Sequence, residues 1–194
     1  MKEILIATSN LHKVEEFKKM LEPLGYTIKS CLDLDEPVEI DETGTTFEEN
    51  SLIKARTLHE MFHTAVMADD SGLAVDAMDG APGVYSARFM GHDTSYTVKN
   101  NAIIEAVKGK PHGAQFVCAI AYVEEDGSEH VFKGVVEGEI AATIIGEHGF
   151  GYDPIFYYPP YGTTLANVSD EMKNAVSHRG RALKQCVEYL EGGR

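Results

Sequence analysis

The stretch from Glu3 to Cys31, EILIATSNLHKVEEFKKMLEPLGYTIKSC, decides the fold. Its apolar run Ile4 to Ala7 breaks at Thr8-Ser9-Asn10, so a short buried strand is expected over residues 3–8. Ser9 or Asn10 can cap a helix whose apolar face carries Val14, Phe17, Leu21 and Leu24. Gly25 supplies a stop, and residues 26–31 read as a second strand. A strand, helix, strand opening implies a parallel pair within an α/β fold.

The reading extends outward from there. Residues 33–44 are polar and acidic, with a short possible strand over 38–40. Thr46-Phe47-Glu48-Glu49 has the form of a capping box. The helix it opens should run to about Phe62, with Phe47, Leu52 or Ile53, Ala55 and Leu58 inward. Strands over 65–68 and 73–78 flank a turn at Asp69-Asp70-Ser71-Gly72. Asp79-Gly80 is a second turn, and Ala81-Pro82-Gly83 begins an exposed loop. Thr94 can cap a helix to about Lys108. Residues 115–124 and 130–139 read as long strands joined around Asp126-Gly127. Residues 146–151 are rich in glycine and aromatics rather than regular structure. Ser177 can cap a last helix that buries Ala182, Leu183, Cys186, Val187 and Leu190. No repeat or clear linker divides the chain, so residues 1–194 read as one domain.

Composition narrows the function classes. Of the 194 residues, 43% are hydrophobic and 25% charged, and the formal net charge is -14. So acidic a surface repels nucleic acid and anionic membranes, and a polynucleotide substrate is not expected. A small phosphorylated ligand stays open, because local cations and a divalent metal act at short range. No run approaches the roughly 20 apolar residues of a membrane span. Three dispersed cysteines, Cys31, Cys118 and Cys186, fit a reducing compartment. No signal peptide is read, and the cytoplasm is the expected location.

Five segments could carry chemistry. At Thr8-Ser9-Asn10-Leu11-His12-Lys13 a helix start offers backbone N–H groups to phosphate, with Lys13 within reach; the plain alternative is an ordinary capped helix. Asp69-Asp70-Ser71-Gly72 sets two adjacent carboxylates after an apolar strand. They call for a cation, and magnesium prefers oxygen ligands; a solvated turn is the alternative. Glu42 lies in a loop free to reach a metal, and Lys54, on one helix face with Asn50, could neutralise phosphate. Gly149-Phe150-Gly151-Tyr152-Asp153-Pro154 could stack an aromatic ring on a nucleobase or plug the core. Lys173 lies near Ser177-His178-Arg179-Gly180, whose cations at a helix start suggest a visiting anion.

Together these segments resemble the inosine triphosphate pyrophosphatase family, the non-standard purine NTP pyrophosphatases or XTP/dITP diphosphatases. The landmarks fall in order from Ile4 to Leu190. They are Ala7-Thr8-Ser9-Asn10 with Lys13; Glu42 to Phe47 with Glu49-Asn50 and Lys54-Ala55-Arg56; Ala68 to Leu73; Gly80 to Arg88; Gly149 to Pro154; and Ser177 to Gly180. The resemblance implies magnesium-dependent hydrolysis of ITP, dITP and XTP to the monophosphate and pyrophosphate, which removes them from the nucleotide pool. It implies an α/β fold in which a long twisted mixed sheet is flanked by helices, with two lobes and a central cleft. It also implies a homodimer.

Carried over residue by residue, Thr8 through Lys13 resemble the phosphate-binding turn. Glu42 and Asp70 resemble the magnesium ligands, and Asp70 also the proton acceptor. Ser71 and Lys54 match triphosphate contacts. Phe150, Gly151, Tyr152 and Asp153 match the base loop. Lys173, His178 and Arg179 match the remaining nucleotide contacts, the last two near the purine. Ser9 stands where many members have glycine, which suits the turn only if the backbone there keeps a negative φ. Residues 91–113 match no motif. Three rival readings are a pyrophosphatase for other modified or standard triphosphates, a non-enzymatic nucleotide-binding module, and an interaction protein that uses its acidic surface. A triphosphate panel, turnover by an Asp70 variant and magnesium dependence separate them.

Overall fold

The structure, a computed structural model, describes residues 2–192; of the expected domain, Met1, Gly193 and Arg194 lie outside the described residues. Seven strands form a mixed sheet in the order β2-β1-β3-β4-β5-β6-β7. The opening reads as expected: β1 (Lys2–Ile6), α1 (Leu11–Leu21) and β2 (Tyr26–Ser30), with β1 parallel to β2. Helix α2 (Phe47–Phe62) leads into β3 (Ala65–Val75), which pairs parallel with the other edge of β1. There follow α3 (Tyr96–Val107), β4 (Gly113–Val123), β5 (Glu129–Ile140) and two short strands, β6 (Phe156–Tyr158) and β7 (Thr163–Thr164). The pairs β5–β6 and β6–β7 are antiparallel. Helices α4 (Asp170–Val176) and α5 (His178–Gly192) close the order.

Several expectations are corrected. The two strands expected on either side of an acidic turn are one strand, β3, which runs through Asp69 to Gly72 without a break. Turn composition loses there to tertiary pairing and burial, which routinely override local preference. Residues 38–40 form no strand. Ser95, not Thr94, caps α3 and accepts from Val98 N. At α2, Thr46 Oγ1 accepts from Glu49 N, but the Glu49 carboxylate reaches back to Thr45 N rather than to Thr46 N. Helix α4 and strands β6 and β7 are too short to show a periodic pattern.

The chain divides into two compact units. The first comprises residues 1–70, 118–134 and 179–194; the second comprises 71–117 and 135–178. In the first, β1 is buried on both faces. Ile4 and Ile6 pack with Phe17 and Leu21 of α1 and Ala182, Leu183 and Cys186 of α5. Leu5 and Ala7 pack with Ala55 and Leu58 of α2. This is why the strand reads as an unbroken apolar run. In the second unit Ile103, Ile104 and Val107 of α3 pack on Leu73, Val75, Phe116 and Val136.

Candidate functional site

The pleat of β3 separates the two adjacent acids. Side chains along a strand alternate between faces. Ala65 and Met67 lie in the cluster with α1 and α5, and Asp69 shares their parity; Val66 and Ala68 lie in the cluster with α2, and Asp70 shares theirs. The acids therefore do not share one cation across a turn. Each has its own partners.

On the first face, Asp69 Oδ2 takes Lys13 Nζ at 3.0 Å and Arg179 Nε at 3.2 Å. Arg179 Nη1 also donates to Glu16 Oε2 at 2.6 Å. Asp69 is 1% exposed and Arg179 3%. Burial works against the charge on Arg179, but Asp69 and Glu16 outweigh it and hold the guanidinium's proton more tightly than usual. Two cations thus meet two carboxylates. The anion expected near Arg179 is supplied, in this arrangement, by the protein's own side chains. Sequence reasoning passed over Glu16, whose signal is its place three residues after Lys13 on the same face of α1.

On the other face, Lys54 Nζ of α2 donates to Glu42 Oε1 at 2.8 Å and to the backbone oxygen of Asp69 at 2.6 Å. It stands 4.0 Å from Asp70 Oδ1, the outer limit of an ion pair. Glu42, expected in a loop free to reach a metal, is tethered here by Lys54. Asp70 Oδ2 is buried and has no hydrogen-bond partner among the described residues. Burial, joined by Glu42 and Asp69 and opposed by Lys54, pushes the Asp70 carboxyl up to about 6. Lys54 keeps its charge despite burial, because Asp69, Asp70 and Glu42 surround it.

This donor set suits magnesium. Among the described residues no group of three or more His, Cys, Asp and Glu side chains is gathered for a metal. Magnesium is commonly held by one or two carboxylates, with water and phosphate oxygens completing its shell. Asp70 contributes a buried carboxylate oxygen with no partner, and Glu42 a second carboxylate bonded to the same lysine.

The turn before α1 is built by Asn10. Its Oδ1 accepts from His12 N at 3.0 Å and Lys13 N at 3.4 Å, and its own N–H donates to Thr8 Oγ1 at 3.1 Å. Leu11 and His12 stand exposed on the first turn of the helix. Non-glycine residues with positive φ are His63, Asp79 and Met90 among the described residues; Ser9 is not one of them and is unstrained.

The second unit assembles the aromatic segment. Gly149 has φ 70, and a Cβ there would come within 2.3 Å of Asp153 Oδ2. That oxygen accepts from Phe150 N at 2.9 Å and from Lys173 Nζ at 2.6 Å. Lys173 Nζ also sits 4.4 Å from the centre of the Phe150 ring, a cation–π contact. The two readings of this segment fall on neighbouring residues: Phe150 is 39% exposed, whereas Tyr152 is 5% exposed and plugs the core. The His178 ring stacks on Phe116 at 4.8 Å. Ser71, half-buried, follows Asp70 on β3.

Residues 4–189 match the family model of the Ham1 family. A dITP/XTP pyrophosphatase of Exiguobacterium sp. is 47% identical over 98% of this chain and 100% of its own length. The dITP/XTP pyrophosphatase of Bacillus licheniformis is 45% identical over 98% and 99%. Among solved structures, the Staphylococcus aureus Ham1 protein superposes with a TM-score of 0.93 at 40% identity, covering 100% of both chains. A nucleoside-triphosphatase / dITP/XTP pyrophosphatase from Mycobacterium abscessus gives 0.80 at 42% identity, over 95% of this chain and 98% of its own.

Proposed function

The chain belongs to the Ham1 family, and on that premise we infer that it hydrolyses non-standard purine nucleoside triphosphates, dITP, XTP and ITP, to the monophosphate and pyrophosphate. It is a nucleoside triphosphate pyrophosphatase. The observation that carries the chemical reading is Asp70, a buried carboxyl with one unpartnered oxygen and an affinity for protons raised to about 6.

A base that titrates near the working pH is well matched to take a proton from water. In the proposed reaction Asp70 accepts that proton as the water oxygen attacks the α-phosphorus. The bond from α-phosphorus to the bridging oxygen breaks, and pyrophosphate leaves with that oxygen. Glu42 and Asp70 are proposed to hold magnesium, which when bound neutralises phosphate charge and polarises the phosphoryl oxygens. Lys54 holds Glu42 and the Asp69 carbonyl in place and contributes positive charge, and Ser71 contacts the triphosphate. The turn from Thr8 through Ser9, Asn10, Leu11 and His12 to Lys13 receives phosphate oxygens at the start of α1.

Phe150 is the ring offered to the base, on a segment set by Gly151, Tyr152, Asp153 and Lys173. In keeping with the family resemblance, His178 and Arg179 are proposed on the purine side; with Arg179 held by Asp69 and Glu16, His178 is the proposed donor to the 6-oxo group of hypoxanthine and xanthine. Adenine presents an amino donor at that position and would leave the protein's donor unpaired, which is costly in a buried site. The proposed working form is one pyrophosphatase domain of two lobes, as a cytoplasmic homodimer in keeping with the family resemblance.

Product analysis with dITP and magnesium tests the activity. dIMP and pyrophosphate in equal amounts are expected. dIDP with phosphate would place the attack at another phosphorus, and turnover of dTTP comparable to dITP would remove the purine preference.

A further inference from the structure

Helix α3 lies in the part of the chain that matches no motif, yet its inward stripe is unusual. After Tyr96, which is 39% exposed, Lys99, Asn100, Ile103, Ile104 and Val107 follow helical spacing along one face. The last three pack into the core of the second unit. Lys99 and Asn100 interrupt the stripe with polar side chains that are 1% and 2% exposed. Burying such groups is unfavourable unless they are hydrogen-bonded. Lys99 Nζ donates to the Ala87 carbonyl at 3.0 Å and lies over the Tyr96 ring at 4.7 Å. Asn100 Nδ2 donates to the Gly151 carbonyl at 3.1 Å. The buried polar end of α3 therefore grips the backbone of two irregular segments, 81–88 and 149–153.

The same two segments are also joined to each other. Tyr152 OH donates to the Ser86 carbonyl at 2.5 Å, and the Tyr96 ring meets Tyr152 edge-on at 5.2 Å. Gly151 has φ 65, a conformation that side-chain-bearing residues rarely adopt. The residue between Phe150 and Tyr152 thus has no side chain with which to anchor itself. Its carbonyl is the handle, and Asn100 holds it.

We propose that Asn100 is a positioning residue for nucleobase recognition: its amide fixes the Gly151 carbonyl and so sets the orientation of Phe150, the ring on which the purine stacks. Asp153 and Lys173 hold the segment at its C-terminal side, and Asn100 holds its middle. The assignment rests on the pyrophosphatase reading above and extends it to a helix that the motifs leave out.

Asn100→Asp keeps the side chain's shape and turns an oxygen toward the Gly151 carbonyl. Asn100→Ala, which is uncharged, runs beside it, so that a poorly folded aspartate variant leaves the test intact. Losing one neutral hydrogen bond corresponds to about a tenfold effect. In both variants KM for dITP should rise about tenfold while kcat stays within about twofold. Inhibition by inorganic tripolyphosphate, which carries no base, should be unchanged. In a Phe150→Ala background Asn100→Ala should add nothing to KM, because contacts that act through one another are not additive. An unchanged KM, an equal loss of tripolyphosphate inhibition or an additive effect with Phe150→Ala would overturn the assignment. An inactive wild-type chain overturns the activity and the assignment together; an active wild type with unaffected Asn100 variants overturns the assignment alone.

Discussion

The two faces of β3 carry the same side chain at adjacent positions and treat it in opposite ways. Asp69 meets Lys13 and Arg179, and Arg179 is held in turn by Glu16. Asp70 has a distant lysine at 4.0 Å and a neighbouring Glu42. The first face sets two cations, Lys13 and Arg179, against two carboxylates, Asp69 and Glu16. The second is short of positive charge, and burial, with Glu42 and Asp69 adding to it, raises the affinity of Asp70 for protons. One carboxylate is spent on structure; the other is left ready for a cation or a proton. A single-residue pleat accomplishes this division.

The largest effect that would break the comparison is on turnover. Asp70→Asn keeps the shape and removes the base, so kcat for dITP should fall about a thousandfold, within the range for losing a general base. Urea unfolding should show a folded protein. Undiminished pyrophosphate release would mean that the two faces do not divide the labour as described.

Next in size is the stability of the ion network on the first face. Arg179→Met removes a guanidinium that serves two carboxylates and leaves buried Asp69 with Lys13. Breaking a buried ion network from one side costs about 3–5 kcal/mol. Lys173→Met in the second unit removes a cation from a single carboxylate, Asp153, and should cost less, about 1–3 kcal/mol. Denaturant midpoints of the two variants check the ranking, and equal losses would show that Arg179 does not depend on both of its partners.

The opening strand, α1 and β2 were legible because an unbroken apolar run, an Asn cap and Gly25 agree with one another. The residues of the acidic stretch were legible as chemistry but not as shape. Asp-Asp-Ser-Gly is good turn composition, and what accompanies its straightening lies far away in the chain: β1, paired with residues 65–67 just before it, and counter-ions from α1 and α5. For the same reason the separate partners of Asp69 and Asp70 could not be read, since alternation matters only once a strand is recognised. Tyr152 and Phe150 looked alike between their glycines, and only packing against Tyr96 and Ser86 tells the plug from the exposed ring. Glu16 and Asn100 carry no motif; their meaning lies in which distant groups they touch.

The smallest effect sharpens the comparison through pH. In the unfolded chain Asp70 titrates near its ordinary 3.8, and in the folded metal-free protein near 6. Between those values the folded form holds more of the proton, so stability is fully present below about 3.8 and is lost as pH rises through about 6. At about 1.4 kcal/mol per tenfold, the full loss is about 2–3 kcal/mol. Asp70→Asn cannot lose this proton and should not show that loss. The stability difference between variant and wild type, measured in urea with EDTA, should therefore grow from pH 4.5 to pH 7.5 in favour of the variant. Using the difference removes the ionisable groups remote from Asp70, which the two proteins share. Magnesium should narrow the gap above pH 6, because a cation at Asp70 offsets its charge only in the protein that carries it. Curves that stay parallel across this range would show that Asp70 is already neutralised by Lys54, and the contrast between the two faces of β3 would disappear.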